Sequence, residues 1–529
     1  MIIDARSLPD RTVLQADVCI AGAGAAGIAL AREFLTTGIK VLLLEGGDLK
    51  FSHHNQFMYR GESTGRDYLP LEFTRRRQFG GTTVTWSGRC RPLDEIDFEA
   101  RPWIAHSGWP FSKKDLDPYY ERAHAVCQLG PCDYSPAAWQ SEAPAKTNDS
   151  LEVKIFQFSP PTDFGAAYRS ELERASNVQV FLNANVVRIE LDPDGRSVSR
   201  LECRSGRGRG FQTAARVFIL AAGGLEVPRL LLASRAGRPA GIGNENDLVG
   251  RFFMDHPYLT IGVATVVPDA LPPTFLKVNF EIEQKNLGAL ASLGLRQQTM
   301  RAEGLLNGGV TLVKRPAYKL EDAYFTRAMA DFMQVNDILR HASAPSVRIF
   351  QAAAKTVLQA GRIAPTIGRG LRHKSSPAHG WGLRLQLETI PNPESRVTLS
   401  EKRDSLGIPR LHLNWQVTGQ DLENYHRFET LIFKGLPQWG IQARRFRHDL
   451  DADGWPVTLQ VGKHHIGTTR MHADPRRGVV DADCRVHSTA NLFVAGSSVF
   501  PTSGMANPTL TIVALAIRLA DRIKKDLGV

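Results

Sequence analysis

The chain has 529 residues, 43% hydrophobic and 22% charged, the balance of a globular protein of two or three lobes. No apolar run approaches the roughly 20 residues needed to cross a bilayer, and the longest, Leu510 to Ala520, is broken by Arg518, so no transmembrane segment is expected. The net charge of +11 raises nucleic acid as a partner, but the basic residues are spread along the chain and clusters such as Arg75 to Arg77 and Arg369 to Lys374 are short, so a solvated surface is expected instead.

The N-terminus carries no basic segment leading into an apolar stretch and no twin arginine, which predicts a cytoplasmic protein. The six cysteines (Cys19, Cys90, Cys127, Cys132, Cys203 and Cys484) are scattered without zinc-like spacing, so reduced thiols and no metal site are expected.

In chain order, Asp17 to Ala21 reads as a buried strand, Ala25 to Leu35 as a helix and Lys40 to Leu44 as a second buried strand. Continuously apolar strands flanking a helix predict a parallel sheet covered on both faces. Between them, Gly22-Ala-Gly24-Ala-Ala-Gly27 fits G-x-G-x-x-G. Gly22 permits the tight turn, Gly24 lets a pyrophosphate approach the backbone, and Gly27 allows close helix–strand packing. The helix N-terminus, with Ala25 and Ala26, favours the negative charge. Glu45, closing the second strand ahead of Gly46, is placed to accept hydrogen bonds from a ribose.

Residues 51 to 110 are loop-like. Residues 151 to 234 are expected to return to α/β structure, with strands at Val178 to Leu182, Val186 to Leu191 and Val198 to Cys203 and a turn at Asp192 to Gly195. Val217 to Ala221 forms another buried strand that runs into Ala222, Gly223, Gly224 and a helix. This segment resembles the second fingerprint of flavoproteins with two dinucleotide domains, which favours FAD over NAD. Residues 258 to 460 hold alternating strands (Leu383 to Thr389, Arg396 to Leu399, Pro409 to Trp415) and a helical, basic stretch from about Tyr318 to Gly370, expected to border the substrate entrance or an interface. This region is expected to form an antiparallel substrate-binding lobe that roofs the site. Residues 461 to 529 return to the nucleotide-binding lobe of residues 1 to 257 and end in the helix Thr509 to Leu527.

Four blocks resemble the glucose–methanol–choline oxidoreductase family. They are the N-terminal glycine turn; Gly80-Gly81-Thr-Thr-Val-Thr85-Trp86 with Asp97-Phe98 and Ser107 to Pro110; the Ala222-Gly223-Gly224 strand end; and the C-terminal block. The last runs from His464-His-Ile-Gly-Thr-Thr-Arg-Met471 through Asn491 to Gly496 and Ser497 to Pro501-Thr-Ser-Gly504 and Asn507-Pro508-Thr509. Arg470-Met471 and Asn507-Pro508-Thr509 look closest to the pyranose oxidase-like branch and its bacterial sugar dehydrogenase relatives.

The resemblance implies oxidation of an alcohol, on a sugar, glycoside or polyol, with O2 or a redox partner as electron acceptor. It places the family's base on His464 and its His/Asn position on Asn507. A histidine suits proton abstraction because its ordinary pKa lies near neutrality, and Asn507 can hold the substrate oxygen while the carbinol hydride goes to flavin N5. His465 is the rival base. If the segment is a strand, His464 and His465 point to opposite faces, so only one faces the flavin. Asn507 before Pro508 also suits a helix N-cap. Gly80 and Gly81 are expected beside the flavin, Gly496 and Ser497 on the pyrophosphate or ribityl chain, and Val187 near the adenine. Thr85 stands where fungal pyranose oxidases carry the histidine linked to flavin, so non-covalent FAD is expected. A family-type lyase and a flavoprotein acting on nucleic acid remain as alternatives. His472 and the segment Gly250 to Pro257 receive no role.

Overall fold

A computed structural model of the chain describes residues 1–139, 150–160, 162–206, 208–266, 275, 278–282, 285–314 and 381–529. The stretch from about Tyr318 to Gly370, expected to be helical, lies outside the described residues.

The apolar strand–turn–helix–strand run at the start folds as its pattern predicts. Thr12–Ala21, the helix Ala25–Glu33 and Val41–Leu44 enter an eight-stranded sheet. Its order is Ile2–Asp4, Val178–Leu182, Val41–Leu44, Thr12–Ala21, Gly210–Leu220, Val198–Ser205, Ala184–Leu191, with Leu492–Val494 also on Gly210–Leu220. The first five strands and Leu492–Val494 pair in parallel, and the Val198–Ser205 and Ala184–Leu191 pairings are antiparallel. Val18, Ile20, Leu43, Phe218 and Ile219 are buried, as strands covered on both faces require.

The C-terminal helix Thr509–Leu527 buries Leu510, Val513, Ala514, Ile517 and Ala520 on one stripe and packs against Ala25–Glu33. Each fully buried Leu, Val or Ile there contributes about 1.5–3 kcal/mol. Gly528, at φ 80°, ends the helix in the left-handed conformation. Among the described residues, no helix is long and apolar enough to cross a membrane.

A nine-stranded sheet faces the first. Its order is Ile441–Arg445, Pro257–Val266, Trp381–Leu387, Gly308–Lys314, Lys285–Leu295, Leu151–Phe158, Arg89–Cys90, with Val278–Ile282 and Gln460–Val461 at the side, and all its pairings are antiparallel. The antiparallel roof expected from residues 258 to 460 is therefore present, but it recruits two earlier strands. Leu151–Phe158, expected to belong with the α/β strands, pairs instead with Lys285–Leu295. The reason lies in that partner: its alternating Leu287, Ala289, Ala291 and Leu293 are buried in one core with Leu151, Val153 and Ile155. A third sheet of Arg396–Arg403, Pro409–Trp415 and Gly61–Gly65 closes the side.

Candidate active site

A cavity of about 870 Å³ lies between the carboxyl ends of the parallel strands and the antiparallel roof, where open α/β sheets bind nucleotides. Its floor holds Gly22, Gly24, Ala25, Ala26, Glu45 and Gly46. Gly22 sits at φ +113°, and a Cβ there would come within 2.5 Å of the Ala221 carbonyl oxygen. A Cβ on Gly24 would meet nothing nearer than 3.8 Å, so this glycine leaves room on the cavity side. The helix that follows has no side-chain cap, so its first amides are open to an anion. Glu45 accepts from the amides of Ala23 (3.0 Å) and Gly47 (2.7 Å), which fix its carboxylate at the cavity wall. Ala222, Gly223, Gly496 and Ser497 line the same wall. Gly223 (φ +82°) and Gly496 (φ +137°) are positions where a Cβ would project into open space. These residues fit a dinucleotide: amides for its pyrophosphate, a carboxylate for a ribose, and glycines where backbone must approach.

Gly27 packs helix on strand as expected and stands off the cavity wall, since its Cβ would lie 1.8 Å from the Gly22 oxygen. Two expected contacts differ. Gly80, at φ +94°, packs on Asp163 and Gly165, and its neighbours Gly81, Thr85 and Trp86 line the cavity. Val187 is also off the wall. The register between Ala184–Leu191 and Val198–Ser205 shifts between Val186 and Arg188, and the cavity is lined by Ala184, Asn185 and Val186. An extra residue in one strand re-aims the side chains around it, which a regular alternation cannot anticipate.

At the other end of the cavity stand His464, Asn507, Pro508 and Thr509. Asn507 does not cap the final helix, whose N-cap is Pro508 without a side-chain bond. Instead, its Nδ2 lies 3.2 Å from His464 Nε2, and its Oδ1 is buried without a hydrogen-bond partner, with the Tyr258 phenol beside it.

His464 is held from behind by two residues in the segment without an expected role. Asp255 Oδ1 accepts from the amides of His256 (2.7 Å) and His464 (2.9 Å), and Oδ2 from the Tyr68 hydroxyl (2.6 Å) and the Lys463 amide (3.1 Å). Burial pushes the Asp255 carboxyl up to about 7, against these four donors. His256 Nδ1 lies 2.8 Å from His464 Nδ1, and His256 Nε2 lies 2.8 Å from the Gly504 carbonyl oxygen.

Proton bookkeeping then fixes both rings. A carbonyl only accepts, so His256 carries its proton on Nε2 and presents a lone pair at Nδ1. His464 therefore donates from Nδ1, and its Nε2 lone pair faces Asn507 and the cavity. Both rings are neutral near pH 7: burial holds His464 well below the ordinary imidazole range, helped by His256, His465 and Arg89, and it lowers His256 to about 4. The expected match of His464 to neutral pH is thus corrected downward. Ligand-type atoms of Asp255, His256 and His464 also lie within 4.8 Å of one another. However, the 2.8 Å between the imidazoles is a hydrogen-bond distance, and four donors already occupy the carboxylate, so the trio reads as a proton-ordering network.

The alternation expected for His464 and His465 also fails. Gly462 to His465 form no strand, because Asp255 captures two successive amides and Lys463 takes a left-handed φ of 63°. Both histidines line the cavity. His465 lies among Phe253 and Tyr68, its Nε2 is buried without a partner, and its carbonyl accepts from Ser497 Oγ (2.7 Å). His472 Nδ1 accepts the Asp474 amide at 2.9 Å, a local turn contact. The block around Asp97 and Trp109 steadies the loop that carries Asn507. Trp109 Nε1 donates to Thr502 Oγ1 (2.8 Å), which donates to the Asp97 carbonyl (2.7 Å).

Comparison with known proteins agrees with this geometry. Residues 17–240 match the family described as FAD dependent oxidoreductase, and residues 391–516 the one described as GMC oxidoreductase. Fructose dehydrogenase large subunit from Gluconobacter japonicus is 24% identical over 97% of this chain and 98% of its own. The 6'''-hydroxyparomomycin C oxidase from Streptomyces lividus is 26% identical over 97% of this chain and 92% of its own. Among solved structures, pyridoxine 4-oxidase from Mesorbium loti superposes with a TM-score of 0.57 at 17% identity, covering 96% of this chain and 99% of that one. The nucleotide cradle and both family matches define an FAD-dependent oxidoreductase. More narrowly, the C-terminal match and these relatives support a GMC oxidoreductase that acts on a CH–OH donor, as an oxidase or dehydrogenase.

Proposed function

We propose that this enzyme oxidises a hydroxyl of a sugar, glycoside or related polyol, as a member of the pyranose oxidase-like and bacterial sugar dehydrogenase branch. The observation that carries the proposal is the convergence of the His464 Nε2 lone pair and the Asn507 amide, 3.2 Å apart, at one end of a glycine-lined cavity. Relatives matched over nearly the whole chain, a fructose dehydrogenase large subunit and a 6'''-hydroxyparomomycin C oxidase by name, support a sugar-like substrate.

Bound FAD supplies the hydride acceptor at its N5. The chain supplies the rest. His464 Nε2 takes the hydroxyl proton, Asn507 holds the oxygen and aligns the carbinol, and the roof excludes water. The antiparallel sheet of residues 258 to 460 acts as the substrate-binding lobe. Anaerobic reduction of the holoenzyme by a panel of sugars, glycosides and aminocyclitols tests the proposal. Bleaching of the flavin by at least one of them is expected, and no reduction by any would overturn it.

FAD is held without a covalent link, because Thr85 lines the cavity with a hydroxyl that cannot form a histidyl bond. Acid or heat precipitation is expected to release all the flavin into the supernatant. Yellow colour retained in the pellet contradicts this.

A further inference from the structure

The cavity holds more positive charge than its own carboxylates balance. On the nucleotide side the accounts close for two of the four arginines, while Arg76 and Arg77 line the half of the cavity that suits a dinucleotide's phosphates. Arg75 pairs with Glu226 at 2.7 Å, and Arg229 pairs with Glu226 (3.0 Å) and Asp404 (2.7 Å). Burial opposes ionisation of Glu226, but Arg229, Arg75 and Arg77 together bring it down to about 2.

On the roof side they do not close. Arg89 and Arg384 line the cavity near His464 and Asn507, on strands of the antiparallel sheet with three others between them, and Arg89 reaches across to Gln386, two residues from Arg384. Arg89 lies over Phe156 at 3.7 Å and donates only to neutral groups: Ser292 Oγ (3.1 Å), Thr311 Oγ1 (3.3 Å) and Gln386 Oε1 (3.4 Å). Its Nε is buried without a partner. Burial lowers its pKa to about 10, with Arg384 and Arg91 adding to the effect, so it remains a cation at neutral pH. Arg384 lies over the Tyr258 ring at 4.5 Å. Among the described residues, neither guanidinium has a carboxylate partner. The nearby carboxylate of Asp255 is already saturated by four donors.

A cation held largely out of water without a counter-ion is costly. The cost is offset when a ligand brings the missing charge. Guanidinium forks match carboxylate and phosphate oxygens in a way that neutral hydroxyls do not. The Tyr258 ring is in contact range of Arg384 and lies 6.5 Å from the His464 ring, so one small molecule can engage the arginines and the reacting pair together. We propose that Arg89 and Arg384 form an anion subsite, and that the substrate is a hydroxyl compound that also carries a carboxylate or phosphate, such as an acidic or phosphorylated sugar. The proposal rests on the alcohol-oxidation assignment above and narrows its substrate class. Binding energy at the anionic end then serves to place the carbinol, as remote contacts do in enzymes generally.

The test uses the oxidised holoenzyme, whose cofactor fills the pyrophosphate site. D-glucuronate, D-glucose 6-phosphate and D-glucose are titrated at constant ionic strength while the visible flavin band is followed. At least one of the two anionic sugars is expected to bind tenfold or more tightly than D-glucose, and which one does so distinguishes carboxylate from phosphate. Arg89 is tied to Ser292, Thr311 and Gln386, so Arg384, which makes no such bonds among the described residues, carries the test. Arg384→Gln is expected to remove the preference, and Arg384→Lys to retain part of it. Equal or tighter binding of D-glucose, no saturable change with any of the three, or an unchanged preference in Arg384→Gln overturns the proposal. A saturable shift of the flavin band reports binding and its bleaching reports turnover, so anion binding without bleaching by any alcohol would fail the assigned reaction and leave the subsite standing.

Discussion

His464→Ala is expected to keep its FAD and to lose roughly 10²–10⁴-fold in the rate of flavin reduction by an alcohol, the usual cost of removing a positioned base. The cofactor contacts lie elsewhere in the cavity, so flavin content is the control for folding. The pH profile gives the second readout. Neutral His464 is the active form, and burial, with His256, His465 and Arg89, holds its pKa well below the ordinary imidazole range. In the native enzyme the rate should therefore stay level through neutrality and fall only as pH drops below that range. His464→Ala should lose that acid limb. Asn507→Ala should cost less, since it removes an orienting contact and leaves the base. His465→Ala should be milder still. If His465→Ala abolishes reduction while His464→Ala retains the rate and the limb, the base is His465.

His256→Phe is expected to lower flavin reduction by about 10–100-fold, the range found when the orienting partner of a functional histidine is removed from metal sites. The phenyl ring roughly preserves the volume but cannot accept from His464 Nδ1. That leaves a buried donor unsatisfied, and His464 can relieve it only by turning its ring or moving its proton to Nε2. Either change removes the lone pair from the cavity. His256 also depresses the His464 pKa, so the acid limb should move toward neutrality in the variant. A merely structural role would lower the yield of holoenzyme without moving that limb. Full rate with an unmoved limb would show that His256 does not order the proton on His464.

The nucleotide half of the site was legible because its determinants are local. Gly22, Gly24, the helix Ala25–Glu33 and Glu45 lie within two strands and a turn, and each glycine has a backbone reason to be there. His464 and Asn507 were reachable through the resemblance, and the cavity joins them. What was not legible depends on partners distant in the chain. His256 meets His464 across 208 positions, and nothing in Met-Asp-His-Pro announces that its carboxylate will seize the amides of Lys463 and His464. That capture, with the left-handed turn at Lys463, is also why the alternation expected of His464 and His465 does not occur. Val187 was misplaced by a register shift invisible to a period of two. Arg89, Tyr258 and Arg384 sit on strands whose patterns give an inward face but not the neighbours it will meet.

The central strands of the parallel sheet have a consequence for biosynthesis. Gly210–Leu220 is flanked by Thr12–Ala21 on one side and, at its carboxyl end, by Leu492–Val494, while the terminal helix Thr509–Leu527 covers Ala25–Glu33. A nascent chain emerging from the ribosome therefore displays its glycine turn early but cannot finish the sheet or cover that helix until residues 492 to 527 have emerged. Such non-local pairing is slow to form, and until then the apolar faces of Ala25–Glu33 and Gly210–Leu220 are exposed to aggregation. The cavity wall, to which Gly496, Ser497 and Asn507 contribute, is therefore complete only after that segment has emerged.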